Sequence, residues 1–227
     1  MVILENISKI YHEGTPQAFE ALRAVSMKVN PGECVVLSGV SGSGKSTLLA
    51  LIAALDKPSR GKIVVNGELI SKLPDLHASA YRAKTIGVIF QHFNLLESLS
   101  VEENVIVPLI HSGLHLSTID SMAKKSMELA AISHKASQEV KALSGGEKQR
   151  CAIARALVHE PELILCDEPT ANLDRENSLK FIEILHALQD LGKTIIVATH
   201  DPLFEGLPFV NRVLHMEDGQ LECGKNE

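Results

Sequence analysis

The chain has 227 residues, 45% of them hydrophobic and 22% charged, with a formal net charge of −6 at pH 7. It is long enough to bury a large core as one domain, or as a core with a small appended lobe. The acidic balance and the lack of any lysine or arginine run argue against nonspecific nucleic-acid binding. No apolar run approaches the ~18 residues that span a bilayer, and residues 1–5 lack the basic region and apolar core of a signal peptide. Any membrane role is therefore expected through a partner. Cys34, Cys151, Cys166 and Cys223 show no C-x-x-C spacing; three of them lie in apolar or helical surroundings and read as buried free thiols in a reducing compartment.

Residues 1–9 alternate as a strand, and 24–30 read as a second that ends at the Pro31-Gly32 turn. Tyr11 falls between them in a polar, glycine-containing loop. It is either an aromatic placed to stack on a nucleotide base or a partly buried loop residue. The apolar run Cys34-Val35-Val36-Leu37 then enters Gly39-Val40-Ser41-Gly42-Ser43-Gly44-Lys45-Ser46-Thr47, and an apolar helical run over 48–55 follows. Strand, glycine-rich turn and helix in that order are the context that the phosphate-binding pattern G-x-x-x-x-G-K-[ST] requires. Glycines let successive N–H groups face one concavity, and the helix adds its unpaired N–H groups and positive dipole end. Lys45 would reach the outer phosphates and the Ser46 hydroxyl would ligate Mg²⁺. This stretch is a candidate nucleoside triphosphate site.

Residues 63–70 read as a hairpin turning at Asn66-Gly67. A short buried strand over 86–90 ends at Gln91, a ligand contact or a strand cap. The loop 92–100 carries Phe93, Leu95 and Leu96, as a docking surface or tucked inward. From 101 to 141 the pattern is helical, with Ser117 or Thr118 as the cap of a segment through Met122, Met127, Leu129 and Ile132. His111 and His115 have a spacing that two helical metal ligands could use, but Gly113 separates them and no third ligand is near. In Leu143-Ser144-Gly145-Gly146-Glu147-Lys148-Gln149-Arg150, Ser144 and Glu147 form a capping box. Two glycines in a first turn cost helix stability, and a helix start so bare lets an anion approach closely; the anion site is favoured over a mere cap.

Residues 163–169 form a buried strand ending in Asp167 and Glu168, where parallel sheets carry their ligands. Asp167 is placed to partner Mg²⁺ near Ser46, and Glu168 to orient or deprotonate a water. An amphipathic helix over 175–191 stops near Gly192, a buried strand over 194–199 ends at His200, and a hairpin over 213–222 turns at Asp218-Gly219.

Five elements thus stand in order: the phosphate loop, Gln91, the 144–150 stretch, Asp167-Glu168 and His200. Together they resemble the ATP-binding cassette family over essentially the whole chain. Ser144-Gly145-Gly146-Glu147 matches its signature and Ala171-Asn172-Leu173-Asp174 its D-loop, with Ala171 where close relatives often carry Gly. The resemblance implies a single α/β domain over 1–227. That domain would be a P-loop NTPase (RecA-like) core with a mostly parallel sheet, an N-terminal antiparallel β subdomain and a helical subdomain inserted at about 92–158. It implies ATP and Mg²⁺ as ligands, with the 39–47 loop on the phosphates and Tyr11 on adenine. Ser46, Gln91 and Asp167 would face the metal, with Gln91 linking it and the attacking water to a membrane partner. Glu168 would be the catalytic base, and His200 the contact to the γ-phosphate. Ser144, Gly145 and Gly146 would bind the γ-phosphate of ATP held by a second cassette, expected to be an identical copy, so that closure depends on ATP.

The loop 90–96, with Glu103-Asn104-Val105 and Pro108-Leu109, is similar to lipoprotein-release (LolD-type) and MacB-type cassettes and close to the cell-division FtsE cassette. That similarity implies an integral membrane permease as partner and a peripheral position on the cytoplasmic face of the inner membrane, with no nucleic acid bound. The expected function is the ATP-hydrolysing subunit of a transporter of export or lipoprotein-release type. The alternative is the ATPase of a cell-division-type signalling complex that moves no solute.

Overall fold

The computed structural model describes residues 1–222, so Cys223 lies outside the described residues. The chain opens with β1 (Val2–Tyr11), β2 (Phe19–Val29) and β3 (Cys34–Ser38), then α1 (Lys45–Ile52), β4 (Arg60–Val65) and β5 (Glu68–Leu69). It continues through α2 (Asp75–Thr85), β6 (Ile86–Ile89), α3 (Val101–Ile106), α4 (Leu116–Leu129), α5 (Gly145–Leu157) and β7 (Leu163–Asp167). The last elements are α6 (Arg175–Asp190), β8 (Thr194–Thr199), β9 (Arg212–Glu217) and β10 (Gln220–Leu221). An antiparallel sheet has the order β2-β1-β4-β5. A second sheet has the order β10-β9-β3-β8-β7-β6, parallel from β9 to β6 with β10 antiparallel at the edge. The connection from β7 through α6 returns the chain to begin β8 at the same end of this sheet, as parallel pairing demands, whereas α1 leads from β3 to β4 in the antiparallel sheet.

The central strands are buried on both faces, and alternate side chains feed two cores. Cys34, Val36, Ile164, Cys166, Ile195 and Val197 face a core shared with α3 to α6. Val35, Leu37, Leu163, Leu165, Ile196 and Ala198 face α1 and the antiparallel sheet. Cys34, Cys151 and Cys166 are buried free thiols. Among the described residues no helix is long and apolar enough to cross a membrane.

Three expectations need correction. Tyr11 is not in a loop: it is the last residue of β1 and pairs with Phe19. β2 starts five residues before Ala24, because Ala24 (φ 48°) breaks the alternation: Ala21 and Leu22 are both buried, and only the second half reads as period two. α4 begins after His115, with no side-chain cap, and not at Ser117 or Thr118. Its position is fixed by Ile119, Ala123 and Met127, four residues apart on the core face, while Leu129 is exposed and Ile132 lies beyond the helix. His111 therefore precedes the helix and shares no helical face with His115.

The loop 92–100 is partly tucked. Leu95 packs against the core while Leu96 stays exposed. Buried Asn104 ties it down, accepting from the Leu96 N–H at 2.8 Å and donating to the carbonyls of Leu96 and Ser100. Arg155 of α5 donates to the Phe93 carbonyl at 2.6 Å and also to that of Asn94.

Candidate active site

Because β3, β8 and β7 are parallel neighbours, their C-terminal ends lie side by side, with Ser38 opposite Thr199 and Asp167 opposite Ala198. Each strand hands the chain to a polar segment at that edge, the place where sheets of this kind carry ligands. β3 leads into the glycine loop. Gly44 takes φ 103°, which a residue with a Cβ strongly resists, and caps α1 with no side-chain hydrogen bond. The first intrahelical donor is the Leu48 N–H to the Gly44 carbonyl, so the N–H groups just before it have no helical partner.

The charged side chains of the three loops converge. Lys45 is 4% exposed; its Nζ donates to the carbonyls of Gly39 (2.7 Å) and Val40 (3.0 Å) and lies 3.5 Å from the Glu168 carboxylate. The Ser46 hydroxyl donates to Asp167 Oδ1 at 2.7 Å. Burial pushes the Asp167 carboxyl above its usual range, helped by the like charge of Glu168 and opposed by the Ser46 hydrogen bond and Lys45. Glu168 has φ 43°, and its N–H donates to the Ala198 carbonyl at 2.8 Å, so β8 holds it in place. Its carboxylate meets His200 Nδ1 at 3.0 Å and accepts from the His200 N–H at 3.4 Å.

Lys45, Ser46, Glu168 and His200 open onto a cleft of about 320 Å³, and Asp167 stands behind Ser46, outside the lining. The loop from Ser41 to Thr47, Gln91, Glu168 and His200 line it, as do Tyr11 and Phe19. Lys9 Nζ lies over the Tyr11 ring, 4.9 Å from its centroid. Gly39 and Val40 serve through their carbonyls, outside the lining. A larger groove of about 420 Å³, beside α6 and the end of α4, is mainly aliphatic and contains no glycine loop or paired carboxylates.

Ser144, Gly145 and Gly146 are not brought to this cleft. They form the start of α5, where Ser144 and Glu147 complete the capping box. Hydrogen bonds from the Ser144 N–H and hydroxyl, with Lys135 at 3.2 Å, bring the Glu147 carboxyl down from 4.5 to about 2. Sequence reasoning missed Phe19, whose half of β2 gave no period-two signal. Asn172 and Gln149 stood in motifs without a role of their own; Asn172 donates to the Gln91 carbonyl at 2.8 Å, and Gln149 to the Pro169 carbonyl at 3.0 Å. Neither contact has a local sequence signal, since each joins segments distant in the chain.

A glycine loop opening a helix at the carboxyl edge of a parallel sheet, with a hydroxyl–carboxylate pair beside it, defines a P-loop NTPase. The ABC transporter family profile matches residues 22–171, and the chain belongs to that family. An ABC transporter ATP-binding protein of Thermotoga maritima is 40% identical over 96% of this chain and 92% of its own length. The lipoprotein-releasing system ATP-binding protein LolD of Pseudoalteromonas translucida is 37% identical over 100% and 97%. The macrolide export ATP-binding/permease protein MacB of Campylobacter jejuni is 39% identical over 97% of this chain, which spans 33% of that protein. Among solved structures, the dimeric ABC transporter cassette MJ0796 superposes with a TM-score of 0.90 at 36% identity, covering 98% of this chain and 97% of its own. The same cassette in a post-hydrolysis dimer bound to ADP and Pi gives 0.89. The chain is an ATP-driven nucleotide-binding subunit of the ABC type.

Proposed function

We propose that ATP lies along the 320 Å³ cleft with its phosphates over the 41–47 loop and its base toward Tyr11 and Phe19. The observation that carries this reading is the meeting of Lys45, the Ser46–Asp167 pair and Glu168–His200 at one sheet edge. Lys45 exchanges its carbonyl partners for phosphate oxygens, a trade of neutral acceptors for charged ones. Glu168, fixed by β8 and by His200, orients a water and accepts its proton. His200, 63% exposed at its side chain, is free to reach the γ-phosphate once a ligand is bound.

The donor set also fits Mg²⁺: a hydroxyl 2.7 Å from a carboxylate whose burial disfavours its lone negative charge, with the Gln91 amide on the same cleft. Ser46, Asp167 and Gln91 would hold the ion, which supplies charge neutralisation of the phosphates. Replacing Glu168 by Gln keeps the shape and removes the base. Hydrolysis is expected to fall by about 10²–10⁴-fold while Mg-ATP still binds; hydrolysis unchanged by Glu168→Gln would overturn the assignment.

Ser144, Gly145 and Gly146 serve the ATP of a second copy, because they stand outside their own cleft while presenting an open helix start. The likeness to MJ0796, solved as a dimer, supports this arrangement. The working unit is one ATP-binding domain, its helical part falling in about 92–158, acting with an integral membrane permease at the cytoplasmic face of the membrane. An output of export or lipoprotein-release type is supported by the full-length similarity to LolD and by the match to a third of the ATP-binding/permease protein MacB. Affinity capture from detergent-solubilised membranes tests it. A co-purifying integral membrane subunit is expected; a cassette that brings none, or only a cell-wall regulator, would sink the transport assignment.

A further inference from the structure

Neither Gly145 nor Gly146 has a positive φ, so the backbone of the signature turn accepts any ordinary helical residue. At Gly145 a side chain has room, its nearest neighbour being the Asn172 carbonyl at 3.6 Å. Gly146 differs: a Cβ there would stand 2.4 Å from Oδ1 and 2.6 Å from Cγ of Asn177, in the first turn of α6. Asn177 is not free to step aside. Its Oδ1 accepts from Arg150 Nη1 at 3.2 Å, and its Nδ2 reaches both Asp174 carboxylate oxygens at 3.1 and 2.9 Å. Its own N–H donates to Asp174 Oδ1 at 2.8 Å. From the same face of α5, buried Gln149 donates to the carbonyl of Pro169, the residue after Glu168.

We propose that Asn177 is a positioning residue: seated in the notch that Gly146 leaves, it locks the signature turn of α5 to Asp174 and the segment descending from Glu168. The inference rests on the two-copy site proposed above. Phosphate captured by the start of α5 then moves the Asp174 loop with it, and Gly146 is a glycine on account of Asn177.

The test is steady-state ATP turnover by Gly146→Ala, Asn177→Ala and the double variant. Alanine is the better helix former at both positions; thermal unfolding and binding of a fluorescent ATP analogue check that each variant is folded. Gly146→Ala is expected to lower kcat about 30-fold, and Asn177→Ala about threefold with KM unchanged. The double variant is expected to recover to within about twofold of Asn177→Ala, a coupling that independent sites would not show. A double variant as slow as Gly146→Ala overturns the proposal and leaves the two-copy site standing. Gly146→Ala at full activity overturns it as well, because the notch would then be unnecessary. A raised KM in Asn177→Ala also overturns it, since the cassette's own phosphate loop would then be disturbed.

Discussion

Lys45 is held by two carbonyls of its own loop and faces Glu168 at 3.5 Å, so one amine joins the backbone of the phosphate loop to the hydrolytic carboxylate. Lys45→Ala removes the charge and leaves Glu168 with His200 alone. ATP affinity is expected to drop at least tenfold, about 1.4 kcal/mol or more, as read by calorimetric titration. The cysteines are quiet by comparison. Burial pushes Cys34 and Cys151 up to about 12, and the fully enclosed Cys166 well up as well. The thiolate is the reactive form, so these three are expected to resist Ellman's reagent at pH 8 until the protein is denatured; rapid labelling of the native protein at any of them would contradict their burial. At Glu147 the folded carboxyl titrates at about 2 in place of 4.5. The native state then binds fewer protons than the unfolded one, so its stabilising contribution is full above pH 4.5 and is lost as pH falls toward 2. Urea midpoints measured across that window should fall less steeply in Glu147→Gln than in the parent.

Among the elements, β6 and α5 approach unusually closely, and a Cβ on Gly87 would meet the Ala156 carbonyl at 2.5 Å and Pro161 Cγ at 2.8 Å. Gly87→Ala is expected to cost about 1–3 kcal/mol, seen as a lowered urea midpoint; an unchanged midpoint would mean that α5 shifts freely along the sheet. This contact is invisible in the sequence, where Gly87 is one small residue in an apolar run. What was legible followed from burial on both faces. β8 spans Thr194–Thr199 as read, because a strand enclosed on both sides is a continuous apolar run. The hairpin at Asn66-Gly67 was equally plain, both residues taking the positive φ that the turn demands. β2 and α4 were misread at their starts, one because a bulge breaks the period and the other because packing, with no capping side chain, sets where the helix begins. The site follows the same division. The groups that follow the C-terminal ends of β3, β7 and β8 were readable from the runs that precede them, whereas Phe19, Asn172, Gln149 and Asn177 matter through partners far away in the chain.

At the scale of the whole molecule, one copy carries a cleft and, apart from it, a second, glycine-bearing helix start. Glu168→Gln protein at saturating Mg-ATP is therefore expected to sediment as a dimer and to return to monomer with ADP; a monomer in both conditions would refute the shared site. The strand order also bears on how the chain is made. β3 and β7 carry the phosphate loop and the acidic pair, yet they are not neighbours, because β8 lies between them. A ribosome that has released the first 190 residues has delivered both halves of the nucleotide site but not the strand that sets them at the right separation. Until 194–199 and then 212–217 emerge and insert, that nascent chain exposes both edges of β3 and one edge of β7, which makes this interval one of special need for chaperones.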